Sequence, residues 1–131
     1  MSARRAACHC GQLQLSCRGE PVRVSMCHCL DCQRRTGSAF GVQARFRRED
    51  VSVEGRATAF TRAGDSGGRI TFHFCPACGS TLYWEPQGMA GFLVVAVGAF
   101  ADPSFALPSV SFYEGRKHPW VALPDSVAHE D

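Results

Sequence analysis

All of the cysteines except Cys17 stand in three short blocks, and this spacing constrains the fold more than any other feature of the chain. The blocks are Cys8-His9-Cys10, Cys27 to Cys32, and Cys75-Pro76-Ala77-Cys78. The first seven residues carry two arginines but lead into Cys-His-Cys-Gly and not into an apolar signal core, so we expect a cytoplasmic protein. In a reducing compartment, clustered cysteines favour metal binding or catalysis over disulfide bonds.

The length of 131 residues fits a single domain that can bury a core of its own. We expect that core to span about residues 7–123, with residues 126–131 as a frayed tail. Apolar residues make up 45% of the chain and charged residues 20%, which is typical of a globular protein. The net charge of +2 is too small to favour nucleic acid as a partner. The longest apolar run, Gly91 to Ala101, is too short to span a membrane.

Apolar and polar residues alternate in many short segments, which predicts about eight strands and an all-β fold. The segments QLQLSC and VRVSMC both alternate, and the turn residues RGEP between them predict a hairpin. Ala63 to Gly68 predicts a further turn before the strand RITFHF. After Phe100 the chain is rich in proline, and we expect ordered coil around the sheet.

The last cysteine block has the form of a zinc knuckle, in which Cys75 and Cys78 direct two sulfurs at one point. A structural zinc takes four ligands, so the knuckle needs two partners. Cys8 and Cys10 can supply them, because residues two apart on an extended strand face the same way. The alternative is that these four cysteines pack in the core as small hydrophobic residues.

The middle block holds three thiols, Cys27, Cys29 and Cys32, and no fourth. Cys27 and Cys29 lie on one side of an extended segment, and Cys32 can return on the following turn to complete three ligands. Three protein ligands and one open position are typical of a catalytic zinc. A water or a substrate thiol is the preferred fourth ligand. Closure by a protein ligand is the alternative, and its candidates are Cys17, His28, His9 and His73.

The segment from Leu30 to Phe40 is where the sequence predicts one short helix, with Asp31 as its cap and Gly37 as its end. The residues after Cys32 are also candidates for binding the substrate. The arginines could pair with carboxylates of a peptide-like thiol, and the other three residues offer hydroxyl and backbone donors. A solvated basic turn is the alternative. The candidates are Arg34, Arg35, Thr36, Gly37 and Ser38.

The blocks CHCG, MCHCLDCQRRTGSAFG and FCPACGSTLYW resemble those of the glutathione-dependent formaldehyde-activating enzyme and centromere protein V family. The resemblance extends from Ala7 to about Leu123 and includes the segment SVSFYEGRKHPW. It implies a tent of antiparallel sheets stapled by two zinc ions, one structural and one catalytic. The structural ion would be held by Cys8, Cys10, Cys75 and Cys78, and the catalytic ion by Cys27, Cys29 and Cys32.

The same resemblance implies a carbon–sulfur lyase reaction, the reversible formation of S-hydroxymethylglutathione from glutathione and formaldehyde. A thiol bound to a metal loses its proton, so an open zinc suits this chemistry. We therefore expect a zinc enzyme that acts on a small thiol adduct, with neither nucleic acid nor membrane as a partner. The alternative is a non-enzymatic binding module in which both metals are structural. Zinc ribbons that bind nucleic acid are disfavoured, because their C-x-x-C…C-x-x-C spacing is absent.

Overall fold

The computed structural model describes residues 3–64 and 67–130. Within these ranges the chain forms eleven strands and one α-helix, and the predicted all-β class is confirmed. The strands are β1 (Ala3–Ala7), β2 (Gln14–Arg18), β3 (Arg23–Cys27), β4 (Gly41–Arg47), β5 (Val51–Glu54), β6 (Thr58–Ala63), β7 (Arg69–Phe74), β8 (Thr81–Pro86), β9 (Phe92–Ala96), β10 (Val110–Phe112) and β11 (Ala128–Glu130). The helix is α1 (Leu30–Thr36), and short 3₁₀ turns cover Arg48–Asp50, Val97–Phe100 and Glu114–Arg116.

The strands divide into two sheets. The small sheet has the order β1-β2-β5 and is antiparallel. The large sheet has the order β11-β10-β3-β4-β9-β8-β7-β6. It is antiparallel except at β10, which runs parallel to both β3 and β11. The large sheet therefore places the end of β3, at Cys27, beside the end of β10.

The predicted hairpin between QLQLSC and VRVSMC is wrong. Strand β2 pairs with β1 and β5, whereas β3 pairs with β4 and β10 in the other sheet. The RGEP segment carries the chain from one sheet to the other. Alternation reports that one face of a strand is buried, but it does not identify the strand alongside, so two adjacent alternating segments can belong to different sheets.

The core lies between the two sheets. Leu15 and Cys17 from β2 are fully buried, and they belong to one apolar cluster with Phe46 from β4 and Val95 from β9. Cys17, one of the candidates for the fourth ligand of the middle block, is therefore a core residue. Burial raises the pKa of its thiol to about 12, so it behaves as a small apolar side chain.

The opposite face of the large sheet carries a second apolar cluster. Phe72, Trp84 and Val94 form it, one from each of the adjacent strands β7, β8 and β9, and they stand opposite one another in register. Helix α1 reaches over this face, because the guanidinium carbon of Arg35 lies 4.2 Å from the centroid of a Trp84 ring. This outer face, and not the core, supports the pocket described below.

The C-terminal segment differs from the frayed tail predicted for residues 126–131. Val127 is buried, and β11 pairs with β10 over three residues. The side chains of β11 are exposed, so its sequence has no alternating apolar pattern. Main-chain hydrogen bonds hold this strand, and an apolar pattern cannot predict them. Asp131 lies outside the described residues, as do Asp65 and Ser66 within the turn predicted for Ala63 to Gly68. No helix in the described ranges is long and apolar enough to cross a membrane.

Candidate metal centres and the adjoining pocket

Four cysteines from distant parts of the sequence meet between the two sheets. The Sγ atoms of Cys8, Cys10, Cys75 and Cys78 all lie within 4.8 Å of one another. The Sγ of Cys10 lies 3.6 Å from that of Cys8 and 3.7 Å from that of Cys75, and none of these thiols forms a disulfide. Four sulfurs bound at 2.3 Å to a tetrahedral zinc would lie about 3.8 Å apart. The spacing of this cluster therefore fits a zinc ion.

Two tight turns bring these sulfurs together. After the Cys75–Cys78 turn, Gly79 has a φ of 83° and its N–H donates to the Cys75 carbonyl at 2.8 Å. The sequence analysis placed Cys8 and Cys10 on an extended strand, and this prediction is wrong. Cys8 to Cys10 form a turn that is closed by a 3.0 Å bond from the N–H of Gly11 to the carbonyl of Cys8. The two sulfurs of this pair converge because the chain turns, and not because of strand periodicity.

Hydrogen-bond donors surround the sulfurs of this cluster. The backbone N–H of Leu13 donates to Cys8 Sγ at 3.3 Å, and Nε2 of Gln12 donates to Cys75 Sγ at 3.0 Å. Hydrogen bonds lower the pKa of the Cys78 thiol to about 5, first that of the Ser80 hydroxyl and then those of the Ser80 and Cys10 backbone. Donors lower a thiol pKa because they stabilise the charged form, which is the form that binds a metal. The sequence did not predict the role of Gln12, because a single glutamine outside the cysteine blocks belongs to no recognisable metal-binding motif.

The second cluster forms where β3 leads into α1. Cys27 is the last residue of β3, Cys29 is the N-cap of α1, and Cys32 lies in its first turn; their Sγ atoms lie within 4.8 Å of one another. The Cys29 sulfur accepts the backbone N–H of Cys32 at 3.3 Å. Cys29 is therefore the cap in place of the predicted Asp31. The predicted end at Gly37 is confirmed, with a φ of 66°.

This cluster has three thiols and no fourth protein ligand among the histidines, cysteines and acidic residues of the described ranges. Each of the four residues considered as a fourth ligand either lies in another part of the structure or contacts another polar group. Cys17 is in the core, and Nε2 of His28 lies 2.9 Å from Ser111 Oγ. Nε2 of His73 lies 2.6 Å from a Glu85 carboxylate oxygen, and His9 is exposed beside the other cluster.

A pocket of about 310 Å³ adjoins the three thiols on the outer face of the large sheet. Besides the thiols, its walls contain four aromatic residues, Ile70, two arginines and the carboxylate of Asp31. The aromatic and basic residues of the lining are Arg35, Arg62, Phe72, Trp84, Phe112 and Tyr113. A volume of this order lies at the small end of the range for small-molecule sites, about 300–1,000 Å³.

Arg35 is the residue that joins the thiols to the aromatic wall. Its side chain stacks on Trp84 and interacts with the Cys32 sulfur by charge and by a hydrogen bond. The pKa of Cys32 is lowered to about 6, first by a hydrogen bond from the Cys27 thiol and further by Arg35, against the opposing effect of burial. Gly41 provides the space for this side chain, since a Cβ at Gly41 would lie 2.9 Å from Arg35 Nη2.

The five residues predicted to bind substrate do not share one pocket. Arg35 lines the pocket beside the thiols, whereas Gly37 and Ser38 line a separate cleft with His118 and Trp120. Arg34 lines that cleft and also a further one that it shares with Arg35 and Phe72. Thr36 lines a third cleft, and its hydroxyl donates to the Cys32 carbonyl at 2.8 Å.

Sequence analysis gave no role in the pocket to Arg62, Phe112 or Tyr113. They reach it through the strand order, which places β6 and β10 on opposite sides of the strands between them. Arg62 pairs with Asp31 at 3.2 Å, and its guanidinium carbon lies 4.7 Å from the Phe72 ring centroid. Trp84, in the third cysteine block, forms part of the pocket wall.

The fold and the site define a mainly β protein with two cysteine clusters that could each hold a metal ion, one of them open to a pocket. A family model described as glutathione-dependent formaldehyde-activating enzyme matches residues 3–116, and the chain belongs to this family. The family resemblance carried by the three cysteine blocks is thereby confirmed.

The chain is also similar to a solved crystal structure of a Rhodobacter sphaeroides protein. The TM-score is 0.56 and the sequence identity 21%, over 72% of this chain and 85% of the other. At this identity the similarity concerns the fold. No protein with a curated description matches the chain.

Proposed function

We propose that this chain is a cytoplasmic zinc enzyme of the carbon–sulfur lyase type, which makes and breaks the bond between a small thiol such as glutathione and formaldehyde. The observation that carries the proposal is the cluster of Cys27, Cys29 and Cys32, which has three thiols and opens onto a pocket. A binding module with two structural metals has no need of an open position. The description of the family names both glutathione and formaldehyde.

The proposal assigns different tasks to the two clusters. Cys8, Cys10, Cys75 and Cys78 would hold a structural zinc, and Cys27, Cys29 and Cys32 would hold the catalytic one. When bound at the open site, zinc supplies the charge that removes the proton from a coordinated thiol at neutral pH. Three thiolates and one open position match this task, whereas four thiolates close a site.

The residues of the pocket would bind and orient the thiol. Trp84 and Phe72 form apolar walls that exclude water from the reacting sulfur. Arg35 and Arg62 both lie beside the Phe72 ring, and because Arg62 is paired with Asp31, Arg35 is the arginine that offers its charge to a carboxylate of the thiol. We retain Arg35 from the predicted binding residues, and we assign no contact with substrate to Arg34, Thr36, Gly37 and Ser38, which line other clefts.

Three measurements on the purified protein test the proposal. Elemental analysis should give one tightly held zinc per chain and a second at partial to full occupancy. Cobalt placed at the three-cysteine site should change its visible spectrum when glutathione is added, because the set of ligands changes. Exchange NMR should show that formaldehyde and its glutathione adduct interconvert faster than without the protein.

The outcomes separate the possibilities. Less than one zinc per chain in fresh protein would contradict both metal assignments. A cobalt spectrum that does not change when small thiols are added would favour the non-enzymatic binding module. Thiol binding without faster exchange would mean that the site takes a thiol but that the proposed reaction is wrong.

A further inference from the structure

Tyr113 has an unusual backbone conformation at the edge of the pocket. It directly follows β10 and has φ 58° and ψ 45°, in the left-handed region that disfavours side chains with a Cβ. In the described residues, only one other non-glycine residue, Ala101, has a positive φ. Residues persist in such conformations where their surroundings impose them, and they concentrate at functional sites.

Backbone hydrogen bonds join the segment at Tyr113 to the end of β3, which carries the cysteine cluster, and to β11. Phe112, the residue before it, stands opposite Cys27 in the parallel pairing of β10 with β3, and its carbonyl accepts the N–H of His28 at 3.0 Å. The N–H of Tyr113 itself donates to the Glu130 carbonyl in β11 at 3.0 Å. These bonds hold the left-handed turn in place, and Tyr113 lines the same pocket as Cys27, Cys29 and Cys32.

The other polar groups of the pocket are poorly suited to transfer a proton to the substrate. A guanidinium does not give up its proton in proteins, which excludes Arg35 and Arg62 as acids. Asp31 is in an ion pair with Arg62. The amide of Gln43 is not an acid, and its Nε2 donates to Ser25 Oγ at 3.0 Å. A phenol can both donate and accept a proton, so Tyr113 has the chemistry that these groups lack.

We propose that Tyr113 is a catalytic residue, whose phenol gives its proton to the aldehyde oxygen as the carbon–sulfur bond forms. This inference rests on the proposed function of the site. The sulfur of the thiolate forms a bond to the carbonyl carbon, and the π electron pair of the C=O bond moves to oxygen. The phenol proton goes to that oxygen to give the hydroxymethyl thioether, and the phenolate regains a proton from water. In the reverse direction the phenolate accepts the hydroxyl proton as the carbon–sulfur bond breaks.

The test compares the two tyrosines of the chain. Tyr113→Phe keeps the ring and the backbone but removes the hydroxyl. Exchange between formaldehyde and its glutathione adduct should fall about 100-fold, the effect typical of losing a general acid. Zinc content and the glutathione concentration that half-changes the cobalt spectrum should match the parent, because the hydroxyl acts only on the aldehyde oxygen. Tyr83→Phe is the control, since Tyr83 is buried on β8 outside the pocket, and its exchange rate should equal the parent's.

A second variant separates chemistry from folding. Tyr113→Gly suits a positive φ, so it should fold with the parent's zinc content and lose exchange at least as strongly as Tyr113→Phe. An unchanged exchange rate in Tyr113→Phe, with the parent active, would overturn the role of Tyr113 and leave the proposed function standing. A parent that binds thiols without catalysing exchange would overturn the function and the inference together.

Discussion

At the scale of single residues, Arg34 and Arg35 are neighbours in sequence with different surroundings. Arg35 is half-buried, stacks on Trp84 and interacts with the Cys32 sulfur. Arg34 is exposed and lines the cleft that also contains His118 and Trp120. On a helix, adjacent residues point about 100° apart, so the two consecutive arginines leave the helix in different directions, and Arg35 is the one that lines the pocket of the thiols.

The prediction at this scale is that the two arginines differ in thiol binding. In Arg35→Gln the positive charge beside Cys32 is lost, so a bound thiolate loses a favourable partner. We expect the glutathione concentration that half-changes the cobalt spectrum to rise about tenfold, the effect of losing one charge-assisted hydrogen bond. Arg34→Gln is the matched control and should titrate as the parent does. Equal weakening in both variants would show that general surface charge, and not contact with the site, governs binding.

At the scale of elements, α1 depends on the same residue that contributes to the thiol cluster. Cys29 caps the helix through its sulfur, and Gly37 ends it seven residues after the first helical residue. Serine is among the preferred N-cap residues, and replacing a polar cap by alanine typically costs about 1 kcal/mol. A change at Cys29 can therefore remove the metal ligand and keep the cap, or remove both.

This separation predicts different stabilities for two variants that lose the same ligand. Cys29→Ser and Cys29→Ala should both lose the second zinc and any thiol-adduct activity. Cys29→Ala should be less stable than Cys29→Ser by about 1 kcal/mol, because only serine can accept the Cys32 N–H. Urea denaturation of the two proteins, each with its structural zinc, measures the difference. Equal unfolding midpoints would mean that the cap does not contribute to stability.

Strand β11 offers a second prediction at this scale. A chain truncated after Ser126 loses buried Val127, the pairing with β10 and the Glu130 carbonyl that holds the N–H of Tyr113. We expect its free energy of unfolding to be lower by about 2 kcal/mol, which is the order expected for the burial of one valine. Glu130→Ala removes only an exposed side chain and keeps the backbone carbonyl that accepts the N–H of Tyr113, so it is the control. A truncated chain with the parent's stability would support the frayed tail that the sequence predicted.

The sequence predicted the features that depend on local residue patterns, and it missed those that depend on contacts between distant segments. Alternation predicted β2, β3 and β7, because each of them has side chains that face the core or the outer apolar cluster. It missed β1, in which only Ala6 is buried, and the three-residue strands β10 and β11. The spacing of the cysteines was enough to group them by cluster. The pocket could not be predicted, because Arg62 on β6 and Tyr113 after β10 are distant in sequence from each other and from the cysteines of the pocket.

At the scale of the whole molecule, the four-cysteine cluster joins the two sheets. Cys8 and Cys10 lie in the turn region that connects β1 and β2 of the small sheet, and Cys75 and Cys78 connect β7 and β8 of the large sheet. A metal bound to all four would close a loop of about 65 residues, and long closures constrain the unfolded chain most in theory. The three-cysteine cluster spans a few residues within one connection, so it constrains the unfolded chain little.

This difference predicts opposite consequences for two cysteine-to-serine changes. Cys75→Ser should give insoluble protein, or protein without a cooperative transition, because the loss of a structural zinc ligand removes a large part of the folding energy. Cys29→Ser should stay soluble, keep one zinc per chain and unfold cooperatively within a few degrees of the parent. Zinc analysis and thermal unfolding of the purified variants decide the matter. If Cys29→Ser unfolds while Cys75→Ser remains folded and active, the structural and catalytic roles belong to the opposite clusters.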